Sequence, residues 1–162
     1  MKKVLFLLLF SLVLTGCGAQ ETYETIADVP VVPAMASPRE ITVRLPEDAV
    51  APVLDGVGEQ VYLCEDYEIL VEILEAGDLT ETIRHLSGYD QKDLTVMETF
   101  LNGISRYEFV WACAGEVEDR IGRAVVLDDG AYHYCLSLIR DASTTETSQI
   151  VWEDIFASFD LV

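Results

Sequence analysis

The side chains that could carry chemistry here are four cysteines, two histidines and a large excess of carboxylates. Cys17 closes an apolar run, while Cys64, Cys113 and Cys135 lie in the body of the chain. His133 and Cys135 stand two residues apart, so on a strand they share a face with side chains roughly 7 Å apart. That is too far for the hydrogen bond by which an imidazole activates a thiol. Neither His85 nor His133 has a ligand-type partner at helical or hairpin spacing, and no Cys-x-x-Cys pair occurs, so no zinc site is expected. The turns Glu116-Val117-Glu118-Asp119 and Asp128-Asp129-Gly130 offer Glu116, Glu118, Asp128 and Asp129 to a calcium ion. Neither turn has the alternating oxygens of an EF-hand loop, and ordinary turns are the expectation. The serine elbow, the phosphate-binding glycine loop and the His-Glu-x-x-His zinc motif are all missing. Among 29 acidic residues some carboxylate pair will lie at glycosidase spacing by abundance alone. No catalytic residue, cofactor or metal is therefore assigned.

The elements that must position these residues centre on Arg106–Arg140. Tyr107, Phe109, Trp111 and Cys113 alternate with Glu108, Val110, Ala112 and Ala114, which predicts a strand. Ile121 to Leu127 and Tyr132 to Leu138 predict two more, joined by Asp129-Gly130 as a type I′ turn. That turn sets Leu127 against Tyr132, Val125 against Tyr134 and Ala124 against Cys135; with Glu118-Asp119 at the other tip, Ala124 also faces Cys113. Cys113 and Cys135 would then be two strand spacings apart, about 9–10 Å, beyond disulfide reach. Cys64 could pair with either only if its own hairpin lay beside them. One face of this meander carries Phe109, Trp111, Cys113, Ala124, Val126, His133 and Cys135. The other carries Val110, Ala112, Val125, Leu127, Tyr132, Tyr134 and Leu136. Both are mainly apolar, so helices or a second layer should cover each.

Upstream, Ile41–Pro46 predicts a short strand and Glu47–Gln60 a loop. Val61–Cys64 and Tyr67–Leu74 predict a hairpin, and Glu68 and Glu72 suggest that its longer strand lies near a sheet edge. Asp78 with Glu81 forms a capping-box pattern for a helix over about 79–87, which Gly88 can end. Leu94–Phe100 reads as a strand and Asn102-Gly103 as a turn. A closing helix over about 148–158 presents Val151, Ile155 and Phe159, with Trp152 and Phe156 beside them. Ser158–Val162 could return as a strand. The class is α+β, a mostly antiparallel sheet with a central three-strand meander at about 106–140 covered by two helices.

The first residues read differently. Lys2 and Lys3 precede the apolar run Val4–Leu14, which is too short to span a bilayer as a helix and has the size of a signal-peptide core. Leu14-Thr15-Gly16-Cys17 resembles the lipobox of bacterial lipoproteins. The resemblance implies cleavage before Cys17, a diacylglyceryl group on its sulfur and an acyl chain such as palmitate on the new amino terminus. An ordinary secretory signal followed by a chance cysteine is the other reading. Residues 1–16 are thus expected to be a signal peptide, 17–40 a lipidated tether interrupted by Pro30, Pro33 and Pro38, and 41–162 one globular domain.

Without Lys2 and Lys3 the chain keeps 8 basic residues against 29 acidic ones, a formal charge of −21. Nucleic acid and anionic lipid heads both require basic surface, so neither is an expected partner. Tyr134-Cys135-Leu136-Ser137-Leu138, a polar loop and Trp152-Glu153-Asp154-Ile155-Phe156-Ala157-Ser158-Phe159 resemble the C-terminal part of Mog1/PsbP-like domains, which share the element order. That resemblance implies an accessory or assembly role without catalysis. The expected function is a membrane-anchored, exported lipoprotein, held outside the cytoplasm by lipid on Cys17, acting as a non-enzymatic accessory or binding module. An envelope hydrolase using acidic residues is the alternative, and it needs a cleft with a carboxylate of raised pKa.

Overall fold

The computed structural model describes residues 37–162 except 66, 115–118 and 144–145. The class is α+β and the sheet mostly antiparallel. The strands are β1 (Ile41–Thr42), β2 (Leu54–Gly56), β3 (Glu59–Leu63), β4 (Tyr67–Glu75), β5 (Val96–Leu101), β6 (Ile104–Cys113), β7 (Arg120–Asp128), β8 (Tyr132–Asp141) and β9 (Asp160–Leu161). The helices are α1 (Leu79–Ser87) and α2 (Glu146–Ser158), with a 3₁₀ turn at Gln91–Asp93. Seven strands form one sheet in the order β2-β3-β4-β8-β7-β6-β5. The other two, β1 and β9, pair with each other, so Ile41 faces Leu161.

Period-two alternation places apolar side chains on both faces of the long strands, and each face packs into its own core. Phe109, Trp111, Ala124, Val126 and Cys135 are buried with Ile83 and Leu86 of α1. Val125, Leu127, Tyr134, Leu136 and Leu138 are buried with Trp152, Ile155 and Phe156 of α2. The start of α1 follows its sequence signal, because the Asp78 side chain accepts the Thr80 N–H at 2.9 Å. Its end does so too, with Gly88 at φ 79° in the left-handed region.

Three expectations need correction. The β7–β8 turn uses Gly130 and Ala131, not Asp129 and Gly130: the Asp129 N–H donates to the Tyr132 carbonyl, and Leu127 faces Tyr134 instead of Tyr132. Gly130 alone takes a positive φ, 89°, which is the pattern of a type II′ turn. Asp129 stays outside the turn because its carboxylate accepts N–H groups from Ala131 and Tyr132, at 2.9 and 2.8 Å. Secondly, Ala124 faces Phe109 and Ser137, while Cys113 faces Arg120. Cys113 and Cys135 are therefore not in one row, and Cys64, Cys113 and Cys135 are all free thiols. Thirdly, β4 lies inside the sheet between β3 and β8, not near an edge. Two of its glutamates have side-chain partners: Glu68 accepts from Arg120 at 2.8 Å, and Glu72, buried, lies 3.1 Å from His85 Nε2. Part of the stretch read as loop, 47–60, also supplies the short outer strand β2 and the start of β3.

Candidate functional site

Three of the seven basic side chains in residues 41–162 cross the sheet under α2. Arg106 of β6, Arg123 of β7 and Arg140 of β8 lie on the face that carries Val125 and Leu136, each one strand further along a diagonal. Arg106 donates through its two Nη atoms to the carbonyls of Phe159 and Phe156, at 3.2 and 2.9 Å. A cation there satisfies carbonyls that a helix end leaves without intrahelical partners. The Arg123 guanidinium stacks on the Phe156 ring and that of Arg140 on the Trp152 ring, each 4.5 Å from the centroid. Glu108 joins the first two arginines, accepting from Arg106 Nε at 2.8 Å and from Arg123 Nη2 at 2.9 Å. Burial pushes the Glu108 carboxyl up, but the two guanidinium hydrogen bonds outweigh it and hold the group below its ordinary range.

Beyond the helix the same face opens. A cleft of about 690 Å³ runs between Trp152 and Glu153 of α2 and, on the other side, Asp93 of the 3₁₀ turn and Met97 of β5, over Val110, Glu108 and Arg123. Met97 pairs with Glu108 across the β5–β6 ladder and so looks into this cleft. Among the described residues β5 is an edge strand, paired with β6 alone. Phe100, Leu101 and Met97 are 70, 72 and 61 % exposed. Edge strands of soluble proteins are usually blunted by lysine, proline, a bulge or shortness. The sequence Val-Met-Glu-Thr-Phe-Leu has none of these, and six residues give it an ordinary strand length.

The turn into β6 defines which backbone groups are open. Asn102 and Gly103 have φ of 54° and 83°, a type I′ pair closing on Leu101 and Ile104. In such a hairpin the closing pair exchanges both hydrogen bonds, and the pattern alternates from there. Met97, Thr99 and Leu101 then bond to β6, and Val96, Glu98 and Phe100 direct their N–H and C=O groups outward.

Of the residues singled out in the sequence, Asp128 and Asp129 are occupied by their own turn. Asp129 Oδ2 accepts the Tyr134 hydroxyl at 2.8 Å, and Asp128 Oδ1 accepts the Gly130 N–H at 2.7 Å. Burial raises the Asp129 carboxyl, but hydrogen bonds from Ala131, Tyr132 and Tyr134 outweigh that and hold it low. Both acids thus build their own turn. Glu116, Glu118 and Cys17 lie outside the described residues. His133 is 1 % exposed, its Nδ1 2.8 Å from the Thr82 hydroxyl and its Nε2 3.7 Å from Asp128. Burial, followed by the charge of Glu72, pushes the Cys135 thiol far up, the opposite of what a nucleophile requires. Among the described residues no three His, Cys, Asp or Glu side chains come together as metal ligands, and no helix is long and apolar enough to cross a membrane.

The arginine diagonal was missed at the sequence level, although a signal existed. Arg106, Arg123 and Arg140 are evenly spaced along the chain and share one strand parity, and only aromatic partners from a distant helix make them a unit. No protein-family model matches the chain, and no curated protein sequence matches it.

Proposed function

We propose that this chain is an exported lipoprotein, anchored through lipid on Cys17, whose domain serves as a non-enzymatic binding module for another protein of the cell envelope. In this reading the three-strand meander at 106–140, with helices over about 79–87 and 148–158, is a covered framework, as the resemblance to PsbP-like accessory domains implies. Binding is assigned to the sheet's rim. The observation that carries the reading is the open β5 edge: six residues, apolar side chains exposed, bordering a cleft. The opposite edge, β2, has three residues and offers much less backbone to a partner. The hydrolase alternative asks for a carboxylate of raised pKa in the cleft, and Glu108 is moved the other way.

The anchor is tested by fractionating cells that make the chain as encoded or with Cys17→Ala. The expected outcome is membrane association of the first, removed by detergent but not by salt, and loss of membrane association by the second. Equal membrane association of both proteins would refute the lipid anchor.

A further inference from the structure

We infer that β5 accepts an extended basic segment of a partner polypeptide as an eighth strand, with alternate side chains of that segment entering the cleft beside α2. The inference rests on the reading of this domain as a binding module and gives that reading a ligand chemistry.

Three sets of groups lead to it. The first is backbone. Val96, Glu98 and Phe100 present N–H and C=O groups at the spacing an incoming strand would match, and main-chain bonding of this sort supplies affinity in strand addition. The second is apolar surface. Met97 and Val110 are exposed on the cleft side and Phe100 on the other face, so a segment laid along β5 covers apolar area on both sides. The third is charge, which selects among occupants. The cleft's cations are engaged, Arg123 with Glu108 and Phe156, and Arg140 on Trp152. Its exposed acids are not: Asp93 and Glu153 at the mouth make no ion pair among the described residues. Lysine or arginine side chains that enter the cleft from the incoming strand would meet both. A second copy of this chain is a poor occupant, since it would bring a body of formal charge −19 against another of the same sign.

The test uses the full chain in detergent and a labelled, end-capped peptide alternating valine and lysine, titrated by fluorescence polarisation. A valine–glutamate peptide and a valine–lysine peptide N-methylated at alternate residues serve as comparisons. The expected result is saturable binding of the valine–lysine peptide that weakens as salt rises, with both comparison peptides at least about tenfold weaker. Glu98→Pro removes an outward donor without touching the β6 ladder and should weaken binding by a similar factor at unchanged melting temperature. Should that variant unfold, the N-methylated peptide still decides the point on the unaltered protein. Asp93→Asn with Glu153→Gln should weaken the valine–lysine peptide several-fold and flatten its salt dependence.

Equal binding of the N-methylated peptide would overturn strand addition, and equal binding of the valine–glutamate peptide would overturn the basic partner. A dimer in sedimentation that Glu98→Pro dissolves would assign the edge to a second copy and overturn the inference. If no peptide binds while a photoreactive group at Met97 still captures an envelope protein in cells, this inference fails and the binding reading stands. If the peptides bind as expected and nothing is captured in cells, the strand site stands as chemistry and the envelope reading fails.

Discussion

Gly122 shows how far one residue can constrain this fold. It faces Trp111 across the β6–β7 ladder, and a Cβ built on it would lie 2.1 Å from an indole carbon. The ring packs where any side chain at 122 would be, and Trp111 belongs to the core under α1. Gly122→Ala should therefore destabilise the domain by about 3 kcal/mol or more, read as a lower denaturant midpoint at unchanged slope. Titration gives a second residue-scale prediction. Glu108 and Asp129 are both held below their ordinary values of 4.5 and 3.8. A carboxyl with a depressed folded pKa contributes stability that is complete above its unfolded value and lost as pH falls through the lower folded one. Stability should thus fall on acidification below these ordinary values. Glu108→Gln should reduce stability at neutral pH by about 1–3 kcal/mol, because Arg106 and Arg123 lose their shared anion. The same variant should show a shallower acid limb in chemical denaturation across pH. Residue types alone told little at this scale. Asp128 and Asp129 read as cation candidates because sequence shows carboxylates but not the N–H groups that already occupy them.

At the scale of elements, local signals were legible and register was not. Period-two runs, the Asp78 cap and the Asn102-Gly103 turn all depend on near neighbours, and each was readable. Asp78→Ala should cost α1 about 1 kcal/mol, seen as earlier thermal unfolding, since Thr80 loses its N–H acceptor. The β7–β8 register was misread by two residues, and the pairing of Ala124 with Cys113 fails because Cys113 faces Arg120. Side chains alternate with a period of two, so a slip by an even number leaves every residue on its face. That is why most residues of the two apolar faces read from the sequence fall in the two observed cores even though the cross-strand partners differ; Val110 and Ala112, expected to be covered, are exposed. The place of β4 was hidden for a different reason. Glu68 and Glu72 suggested a place nearer the sheet edge, but Glu68 meets Arg120 of β7, 52 residues on, and Glu72 meets His85 of α1. Long-range pairing of that kind leaves no local trace.

The described domain belongs to a strongly acidic chain and has an open six-residue sheet edge at β5. The chain's formal charge of −19 works against self-association through β5 and favours a basic partner. The arginine diagonal ties α2 to β6, β7 and β8, so the cleft beside that helix has firm walls on the strand side and on the helix side. A binding surface made from secondary structure rather than loops is the central claim, and it can be addressed in the native envelope. A photoreactive amino acid is placed at Met97 on the β5 side, or at Val57 between β2 and β3, in the otherwise unaltered chain, and intact cells are irradiated. The account predicts one discrete crosslinked product from position 97, absent from position 57 and lost when Glu98→Pro is added. Equal products from the two positions, or a product at 97 indifferent to Glu98→Pro, would contradict it.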